Sequence, residues 1–373
     1  MRCYIIAGEA SGDLHASNLL KELKSRNPDT SCRGFGGDLL QSQGAELVKH
    51  YRDLAFMGFA EVVSHLPEIM ENFRLCKKDL LAFRPEVLIL VDYPGFNLPM
   101  AKFAARHGIR VFYYISPQLW AWHSSRVKTI RKYVDKMFVI LPFEQEFYAR
   151  YGYKVDFLGH PLLDVINGEM PLPDRKTFLA SNNLPDHPII ALLPGSRKME
   201  IRKMLKTMIA VSASFPDYQF VVAGAPSVEP AFYREMLDDR DVAFVSGQTY
   251  ALLGHAQAAL VTSGTATLEA ALMGVPQVVC YRGNPLSYLL ARQLVHVRFI
   301  SLVNLVCEKR VVPELIQDDF SPERLSNALG SMLKDNRIRE EILTGYAQMR
   351  SLLGGPGASA RVAGLMMQYL TEN

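Results

Sequence analysis

The sequence predicts an α/β protein of two tandem Rossmann-like, doubly wound domains that face each other across a cleft. Short apolar stretches typical of buried strands alternate with longer stretches typical of helices, and this alternation starts near residue 3 and again near residue 188. The chain has 373 residues, 49% of them hydrophobic, which is enough for two cores. We therefore expect an N-terminal domain over residues 1–165, a C-terminal domain over 166–353, and a final helix in 354–373 that crosses back to the first domain or to a partner chain.

Composition excludes several classes of protein. The net charge of +3, from 41 basic and 38 acidic residues, does not suggest a dedicated nucleic-acid binder. The five cysteines have neither metal-ligand nor redox spacing, so we expect buried free thiols in a reducing compartment. No signal peptide and no apolar run long enough to span a bilayer is evident. These observations favour a cytosolic enzyme.

The first domain is predicted from its apolar stretches and the turns between them. A helix over Leu14–Ser25 follows the first strand, and a long helical run over Phe59–Phe83 is bent at Pro67. The predicted strands are Cys3–Ala7, Ser31–Phe35, Glu86–Val91, Arg110–Ser116, Lys136–Leu141 and Lys154–Phe157.

The loop after the first strand is a candidate binding element. Glu9 and Ser11 lie where a βα loop opens at the carboxyl end of a parallel strand, and ligands of open α/β sheets bind there. The loop has neither the spacing of a dinucleotide fingerprint nor the lysine of a P-loop. The alternative is that Ser11 and Asp13 only cap the first helix, and this interpretation fits the sequence equally well.

Asp92 directly follows Glu86–Val91, the clearest buried strand in the sequence. A carboxylate at the carboxyl end of a strand is placed for chemistry. An Asx turn is the competing interpretation, although Asn97 is the better candidate for the cap of the next helix.

Two stretches of the first domain are candidates for contact with lipid. One is unusually apolar, and the other has two tryptophans next to a basic cluster. Packing in the core explains each stretch. The alternative, functional interpretation is that each stretch contacts a lipid surface. The residues concerned are Phe56, Met57 and Phe59 in one stretch, and Trp120, Trp122, Arg126 and Lys128 in the other.

The second domain repeats the alternation. A stretch over Phe299–Asn304 is predicted to be extended, and a glycine-rich break at Gly354–Gly357 precedes the last helix. The predicted strands are Pro188–Leu193, Gln219–Ala223, Val242–Val245, Ala258–Val261 and Gln277–Cys280, and the predicted helices are Met199–Phe215, Thr249–Ala256, Thr267–Met273, Leu286–Val295, Pro322–Lys334, Asn336–Leu353 and Ala358–Leu370.

The segment Val261–Gly274 is typical of an anion-binding turn between a strand and a helix. Backbone N–H groups and the helix dipole favour a phosphate there, and Gly264 lets it approach the backbone between the hydroxyl groups of Ser263 and Thr265. Glu269, one helical turn later, suits a ribose diol. An ordinary βα turn with hydroxyl caps is the alternative for this motif taken alone.

Arg197 also follows a predicted strand, and an arginine in such a turn can clamp a phosphate through two hydrogen bonds. Helix capping near Glu200 is the competing interpretation.

Six strings, in order along the chain, resemble the lipid-A-disaccharide synthase family of GT-B glycosyltransferases. They are Gly8-Glu-Ala-Ser-Gly-Asp13, Tyr114-Ile-Ser-Pro117 with Trp120-Ala-Trp122, Leu141-Pro-Phe-Glu144, Leu193-Pro-Gly-Ser-Arg197, Ser263-Gly-Thr-Ala-Thr-Leu-Glu269 and Ser301-Leu-Val-Asn304. The resemblance covers the chain from Gly8 to about Asn304.

The resemblance implies an inverting transfer from UDP-2,3-diacylglucosamine to 2,3-diacylglucosamine 1-phosphate, which gives a β-1,6-linked disaccharide 1-phosphate and UDP. It implies no metal and no cofactor, and an enzyme that works at the cytoplasmic face of the inner membrane without spanning it. A homodimer formed by exchange of the C-terminal helix is a further possibility.

The family pattern also assigns roles to individual residues. Asp92 becomes the general base, Arg197 and the turn at Ser263–Thr265 stabilise the departing diphosphate, and Glu269 holds the ribose. Asn304 orients the donor or the diphosphate. Glu9 and Ser11 line the acceptor side.

The chain departs from the family pattern in two places. The loop Asp92–Asn97 lacks a second acidic residue that is common in the family, and Val303 stands where proline is common. A non-hydrolysing UDP-N-acetylglucosamine 2-epimerase and a nucleotide-sugar-binding scaffold without turnover are the alternatives in function.

Overall fold

The computed structural model describes residues 1–54, 66–122, 126–166, 172–237, 242–283 and 298–372, with only the backbone of residues 121 and 122. The chain divides into two compact units. The first unit is Met1–Asp164 together with Gly354–Asn373, and the second is Val165–Leu353.

The first unit is built on a sheet of parallel strands in the order β3-β2-β1-β4-β5-β6-β7. Its central strand β4 consists of five buried aliphatic residues, as expected for a strand covered on both faces. The strands are β1 (Arg2–Ala7), β2 (Ser31–Gly36), β3 (Ala45–His50), β4 (Val87–Val91), β5 (Arg110–Tyr114), β6 (Lys136–Val139) and β7 (Asp156–Phe157).

Helices connect the strands of this unit, and the described ones are α1 (Ala10–Arg26), α2 (Asp38–Ser42), α3 (Leu66–Phe83), α4 (Pro94–Arg106), α5 (Leu119–Trp122), α6 (Val127–Tyr133), α7 (Phe143–Ala149) and, in the segment that leaves the unit, α8 (Leu162–Ile166).

The second unit repeats the design, with parallel strands in the order β10-β9-β8-β11-β12-β13. The strands are β8 (Ile189–Leu193), β9 (Gln219–Gly224), β10 (Ala243–Ser246), β11 (Ala256–Thr262), β12 (Gln277–Tyr281) and β13 (Glu314–Ile316). The described helices are α9 (Arg175–Ser181), α10 (Lys198–Ala210), α11 (Pro230–Leu237), α12 (Thr249–His255), α13 (Ala266–Leu272), α14 (Leu302–Cys307), α15 (Pro322–Lys334) and α16 (Asn336–Leu352).

Both strand orders are those of a doubly wound Rossmann-like sheet, so the predicted fold class is confirmed. In each sheet the strand order reverses at one point, between β1 and β4 in the first unit and between β8 and β11 in the second. Ligands of such sheets bind beside the carboxyl ends of the strands at this switch point.

The last helix, α17 (Ala358–Thr371), belongs to the first unit of its own chain. Val362, Ala363 and Met366 are buried in the same core as the inner face of α1. The carboxylate of Asp164 caps the helix, since it accepts hydrogen bonds from the backbone N–H groups of Gly357, Ala358 and Ser359 at 2.6, 3.1 and 2.8 Å. The sequence prediction left open whether this helix crosses back to the first domain or to a partner chain. In this structure it packs against the first domain.

Three local predictions are corrected by the structure. Phe299–Asn304 is not an extended segment, because Ser301 accepts a hydrogen bond from the backbone N–H of Asn304 and caps α14. Asn97 does not cap α4, which begins at Pro94 and buries Asn97 completely. The sequence interpretation also missed β3 and β13, which are edge strands that are only partly buried.

Candidate functional site

The predicted acceptor-side residues flank the switch point of the first sheet. Glu9 follows β1 and Asp92 follows β4, which is the neighbouring strand. Their loops are in contact, because a Cβ atom added to Gly8 would lie 2.3 Å from the Tyr93 ring, and the charge of Glu9 acts on the Tyr93 phenol. The structure therefore places Glu9 and Asp92 in neighbouring loops at the carboxyl end of the sheet. Ser11 is exposed next to Glu9, in the first turn of α1.

Asp92 has a strained backbone conformation. Asp92 and Tyr93 have φ angles of 45° and 46°, in the left-handed region that is unfavourable for residues other than glycine. Each such residue costs on the order of 1 kcal/mol or more and persists only where its surroundings hold it. The Asx-turn interpretation offered from sequence does not account for two consecutive residues of this kind.

Two buried side chains hold this conformation. The carbonyl oxygen of Asp92 accepts hydrogen bonds from Tyr113 Oη at 2.5 Å and from Asn97 Nδ2 at 2.7 Å. Burial, together with the charge of Asp92, raises the pKa of the Tyr113 phenol well above its ordinary value, so the phenol stays protonated and can donate. Asp92 is thus fixed by neighbours that the sequence interpretation did not single out.

Asp13, the last residue of the first string, has a structural role. Its side chain is 2% exposed, and its carboxylate accepts hydrogen bonds from the backbone N–H groups of Gly37, Leu39 and Leu40. It therefore caps α2 rather than its own helix, and it fixes the loop after β2 near the same sheet edge.

The predicted nucleotide-side residues flank the switch point of the second sheet. Arg197 follows β8, and the turn Ser263–Thr265 follows the neighbouring strand β11. The Arg197 side chain is exposed at the start of α10. Glu200 Oε2 accepts a hydrogen bond from Ser196 N at 3.0 Å, so the residue that caps this turn is Glu200. The Arg197 side chain takes no part in the cap and stays on the surface. Gly195 is required beneath this cap, because its φ is +118° and a Cβ there would lie 2.2 Å from Glu200 Oε2.

The turn at Ser263–Thr265 is open where a phosphate would approach. Gly264 is exposed with a φ of +157°, and nothing lies within 4 Å of a Cβ added there. Thr265 is exposed as well. The Ser263 hydroxyl, in contrast, donates to the carbonyl oxygen of Ile300 at 2.8 Å, so its proton ties this turn to the segment before α14. The helix that follows, α13, has seven residues, which makes its dipole a modest contribution.

Glu269 is a largely buried carboxylate one turn into α13. Burial raises its pKa, and a hydrogen bond of 2.7 Å from Tyr250 Oη to Oε1 works in the opposite direction. Tyr250 thereby orients the group, with Oε2 as the remaining acceptor. The sequence interpretation missed Tyr250, which is 19 residues distant in the chain.

The structure places Asn304 away from the surface, contrary to its predicted contact with donor or diphosphate. Its side chain is 0% exposed. Nδ2 donates to Val312 O and Glu314 Oε1, while Oδ1 accepts from the backbone N–H groups of Val311 and Val312, so all four hydrogen-bonding positions of the amide are used. This amide has no position left for a substrate, and Asn304 organises the segment between α14 and β13.

The two predicted membrane stretches are described only in part. Phe56, Met57 and Phe59 lie outside the described residues, and only the backbone of Trp122 is described. The Trp120 ring packs edge-on against Phe143, with centroids 5.0 Å apart, which favours the core alternative for this residue.

The basic residues of the second stretch lie on and beside α6. Lys128 is exposed on this helix. The half-buried Arg126 at its start lies close enough to lower the pKa of Tyr113, against burial and the charge of Asp92 that raise it.

Comparison with known proteins shows which family the chain is similar to. The family profile described as "Lipid-A-disaccharide synthetase" matches residues 3–354. A lipid-A-disaccharide synthase of Geobacter sulfurreducens is 40% identical over 376 residues, which cover 99% of this chain and 97% of that protein.

Solved structures at lower identity show the same fold. The UDP-GlcNAc 2-epimerase of Neisseria meningitidis bound to UDP-GlcNAc has a TM-score of 0.71 at 13% identity, covering 99% of this chain and 100% of that one. The calicheamicin glycosyltransferase CalG4 has a TM-score of 0.61 at 19% identity, covering 100% and 98%. The likeness to an epimerase is one of fold alone, whereas the match to the synthases extends to sequence over the whole chain. The chain therefore belongs to the lipid-A-disaccharide synthase family and is a hexosyltransferase with the GT-B fold.

Proposed function

We propose that this protein transfers the acylated sugar of UDP-2,3-diacylglucosamine to the 6-hydroxyl group of 2,3-diacylglucosamine 1-phosphate. The hydroxyl oxygen bonds to the anomeric carbon with inversion, the bond from that carbon to UDP breaks, and the hydroxyl proton goes to a base. Membership of the lipid-A-disaccharide synthase family supports this reaction.

Asp92 is the proposed base, and the observation that supports this role is the strained backbone conformation of Asp92 and Tyr93. Two consecutive residues in the left-handed region, at the switch point of the sheet, are held by Tyr113 and Asn97. Such local strain is commonly stored where a side chain must be aimed at a ligand. A carboxylate held in this way can take the acceptor proton as the new bond forms.

The nucleotide side uses the second unit. The exposed Arg197 and the open backbone at Gly264 and Thr265 suit the diphosphate, whose negative charge grows as it departs. Glu269 Oε2 suits the ribose diol, with Oε1 held by Tyr250. Asn304 contributes indirectly by fixing the segment to which the Ser263 hydroxyl is bonded.

Exposed apolar residues on α3 and basic residues on α4 and α6 support association with an anionic membrane. Leu66 and Met70 on α3 are about half exposed. Lys132, Lys102 and Arg106 surround Tyr133 and lower its pKa, although partial burial acts to raise it. Exposed apolar and basic side chains in the same unit suit a peripheral protein. Among the described residues no helix is long and apolar enough to cross a membrane. We therefore propose peripheral association with the cytoplasmic face of the inner membrane.

A homodimer by exchange of α17 stays a prediction. The glycine-rich hinge Gly354–Gly357 supplies the flexibility that an exchange needs, since Gly354 and Gly357 have φ angles of 81° and 88°. Light scattering of the purified protein after size exclusion would decide between one chain and two.

The test of the reaction is an assay with radiolabelled diacylated donor and unlabelled acceptor. Disaccharide phosphate with stoichiometric UDP supports the proposal, an epimerised soluble sugar supports the epimerase alternative, and bound UDP without product supports a scaffold. Asp92→Asn is expected to abolish most of the turnover and to leave UDP binding intact. Asp29→Asn, at an exposed position of the same unit, is the matched control with full activity. Near-normal turnover of Asp92→Asn would remove Asp92 as the base.

A further inference from the structure

A second carboxyl group, without a role in the reaction proposed above, lies buried at the same sheet edge as Asp92. Glu144, in the first turn of α7, has a side chain that is 1% exposed. Strands β4, β5 and β6 are direct neighbours, and the loops that follow them contain Asp92, Ser116 and the segment up to Glu144. These loops meet because parallel strands end at one edge.

Glu144 connects the loops after β5 and β6. Its Oε2 atom accepts hydrogen bonds from the backbone N–H groups of Ile140 at 3.2 Å and Leu141 at 2.9 Å. The Ser116 hydroxyl lies beside the same carboxyl group, and Ser116 Oγ is 2.6 Å from Tyr148 Oη. A carboxyl group in this position links the loop after β6 to the loop after β5. The end of β5 in turn adjoins the loop that contains Asp92, because Asp92 N donates a hydrogen bond of 3.2 Å to Tyr114 O.

Glu144 and Asp92 also interact through their charges. Burial raises the pKa of the Glu144 carboxyl to about 7, the backbone amides of Leu141 and Ile140 and the Ser116 hydroxyl lower it, and the charge of Asp92 raises it. The interaction is mutual, so a negative charge on Glu144 raises the proton affinity of Asp92. The other titratable or charged groups around the two carboxyls are Tyr148 on α7, whose pKa is raised by burial and by Glu144, and Tyr113 on β5, on which Arg126 acts.

We propose that Glu144 is a positioning residue for Asp92: its buried carboxyl group fixes the loops after β5 and β6 next to the Asp92 loop, and its charge acts on that of Asp92. The part concerning catalysis rests on the proposed function, in which Asp92 takes the proton of the acceptor hydroxyl. The part concerning the interaction of the two carboxyls stands on the structure of the first unit.

The first test is the pH profile of kcat/KM in the disaccharide assay. Wild-type activity should rise through a step near pH 7 as Glu144 ionises, because a stronger base transfers the proton more readily. Glu144→Gln keeps an oxygen that accepts the two backbone hydrogen bonds but carries no charge. It should lose the step, with kcat about three- to tenfold lower at pH 8 and KM changed less than about twofold.

Glu146→Gln is the matched control. It makes the same substitution two residues further along α7, where the side chain is exposed and paired with Arg150. Its pH profile should match that of the wild type. Glu144→Leu, which removes both the charge and the hydrogen bonds, should lower the melting temperature as well as kcat. A Glu144→Gln profile identical to the wild type would show a structural role only and would overturn the proposal.

A second measurement does not depend on the reaction. The carbonyl stretch of the protonated Glu144 carboxyl can be followed by infrared difference spectroscopy, with Glu144→Gln as the subtraction. Its titration midpoint should fall in Asp92→Asn, because the neighbouring charge has been removed. An unchanged midpoint contradicts the interaction of the two carboxyls. An active Asp92→Asn enzyme with a shifted midpoint contradicts the proposed base and leaves the interaction standing, so the two failures are distinguishable.

Discussion

The phenol of Tyr113 donates a hydrogen bond of 2.5 Å to the backbone carbonyl oxygen of Asp92. Tyr113 lies on β5 and Asp92 directly follows the adjacent strand β4, so the two residues are 21 positions apart in the chain. The bond matters because it holds the first of two consecutive residues in the left-handed conformation, and so fixes the direction of the carboxylate.

Tyr113→Phe removes this hydrogen bond and keeps the ring. We expect the free energy of unfolding to fall by about 1 kcal/mol, the usual net value of one such bond. We expect kcat to fall by about tenfold with little change in the KM for UDP-sugar, because a small displacement of a catalytic group costs rate more than binding. Tyr153→Phe is the control, since its phenol donates to the carbonyl oxygen of Val134 at 2.9 Å in the same unit. Equal turnover of the two variants would show that the Tyr113 bond does not position Asp92.

Asn304→Ala tests whether this residue is structural. The substitution leaves the backbone N–H groups of Val311 and Val312 and the carbonyl oxygen of Val312 without their buried partner. We expect the free energy of unfolding to fall by about 3 kcal/mol, in line with a broken buried network. Denaturant titration measures the loss, with Asn327→Ala, at an exposed position of α15, as the control. Unchanged stability together with lost activity would instead restore a direct contact with substrate.

Asp164→Ala tests the cap of the last helix. Three backbone N–H groups at the start of α17 lose a charged acceptor, and we expect a cost of about 2 kcal/mol. Hydrogen exchange should accelerate over residues 357–362. Asp174→Ala is the matched control, because Asp174 caps α9 in the second unit by accepting from Thr177 N. Exchange in α17 that is unaltered by Asp164→Ala would show that core packing alone holds the helix.

Two buried histidines near this cap should make the protein sensitive to acid. Burial lowers the pKa of His15 to about 4, although Asp164 raises it, and burial together with His15 lowers that of His160 to about 3. An unfolded histidine binds a proton below about pH 6.5. The unfolded state therefore takes up protons between pH 6.5 and 4 that the folded state does not, and stability falls as the pH falls.

The loss is expected to be on the order of 2–3 kcal/mol for each histidine between pH 6.5 and 4.5. Unfolding titrations of His15→Gln and His160→Asn at these two pH values should show a smaller difference than the wild type. The exposed His107→Gln is the control that keeps the wild-type difference. A variant with the full acid loss would show that its histidine is not the source.

Features that depend on local sequence could be predicted well. The apolar run of β4 placed Asp92 at the carboxyl end of a strand, and the predicted bounds of α15, Pro322–Lys334, are those of the structure. The wound order of the strands followed from the alternation of the elements. In each case the signal and the structure lie within a few residues of each other.

Features that depend on distant partners could not be predicted. Nothing near Asn304 in the sequence shows that the backbone of Val311 and Val312 will use its amide, or that Ile300 will accept the proton of Ser263. Glu144 lies in a string that carried the family resemblance, yet its burial at the same end of the sheet as Asp92 results from the alignment of three strands. The sequence identified the residues at this edge more readily than it did their interactions.

The interrupted first unit has a consequence for the order in which the protein forms during synthesis. The second unit is continuous in the chain, from Val165 to Leu353, whereas the first needs both its early segment and α17. The whole of the second unit is therefore synthesised before α17, and the first unit can close over Val362 and Met366 only afterwards. Until then the apolar face of α1 lacks its cover, and this interval is when the nascent enzyme is most exposed to aggregation and to chaperones.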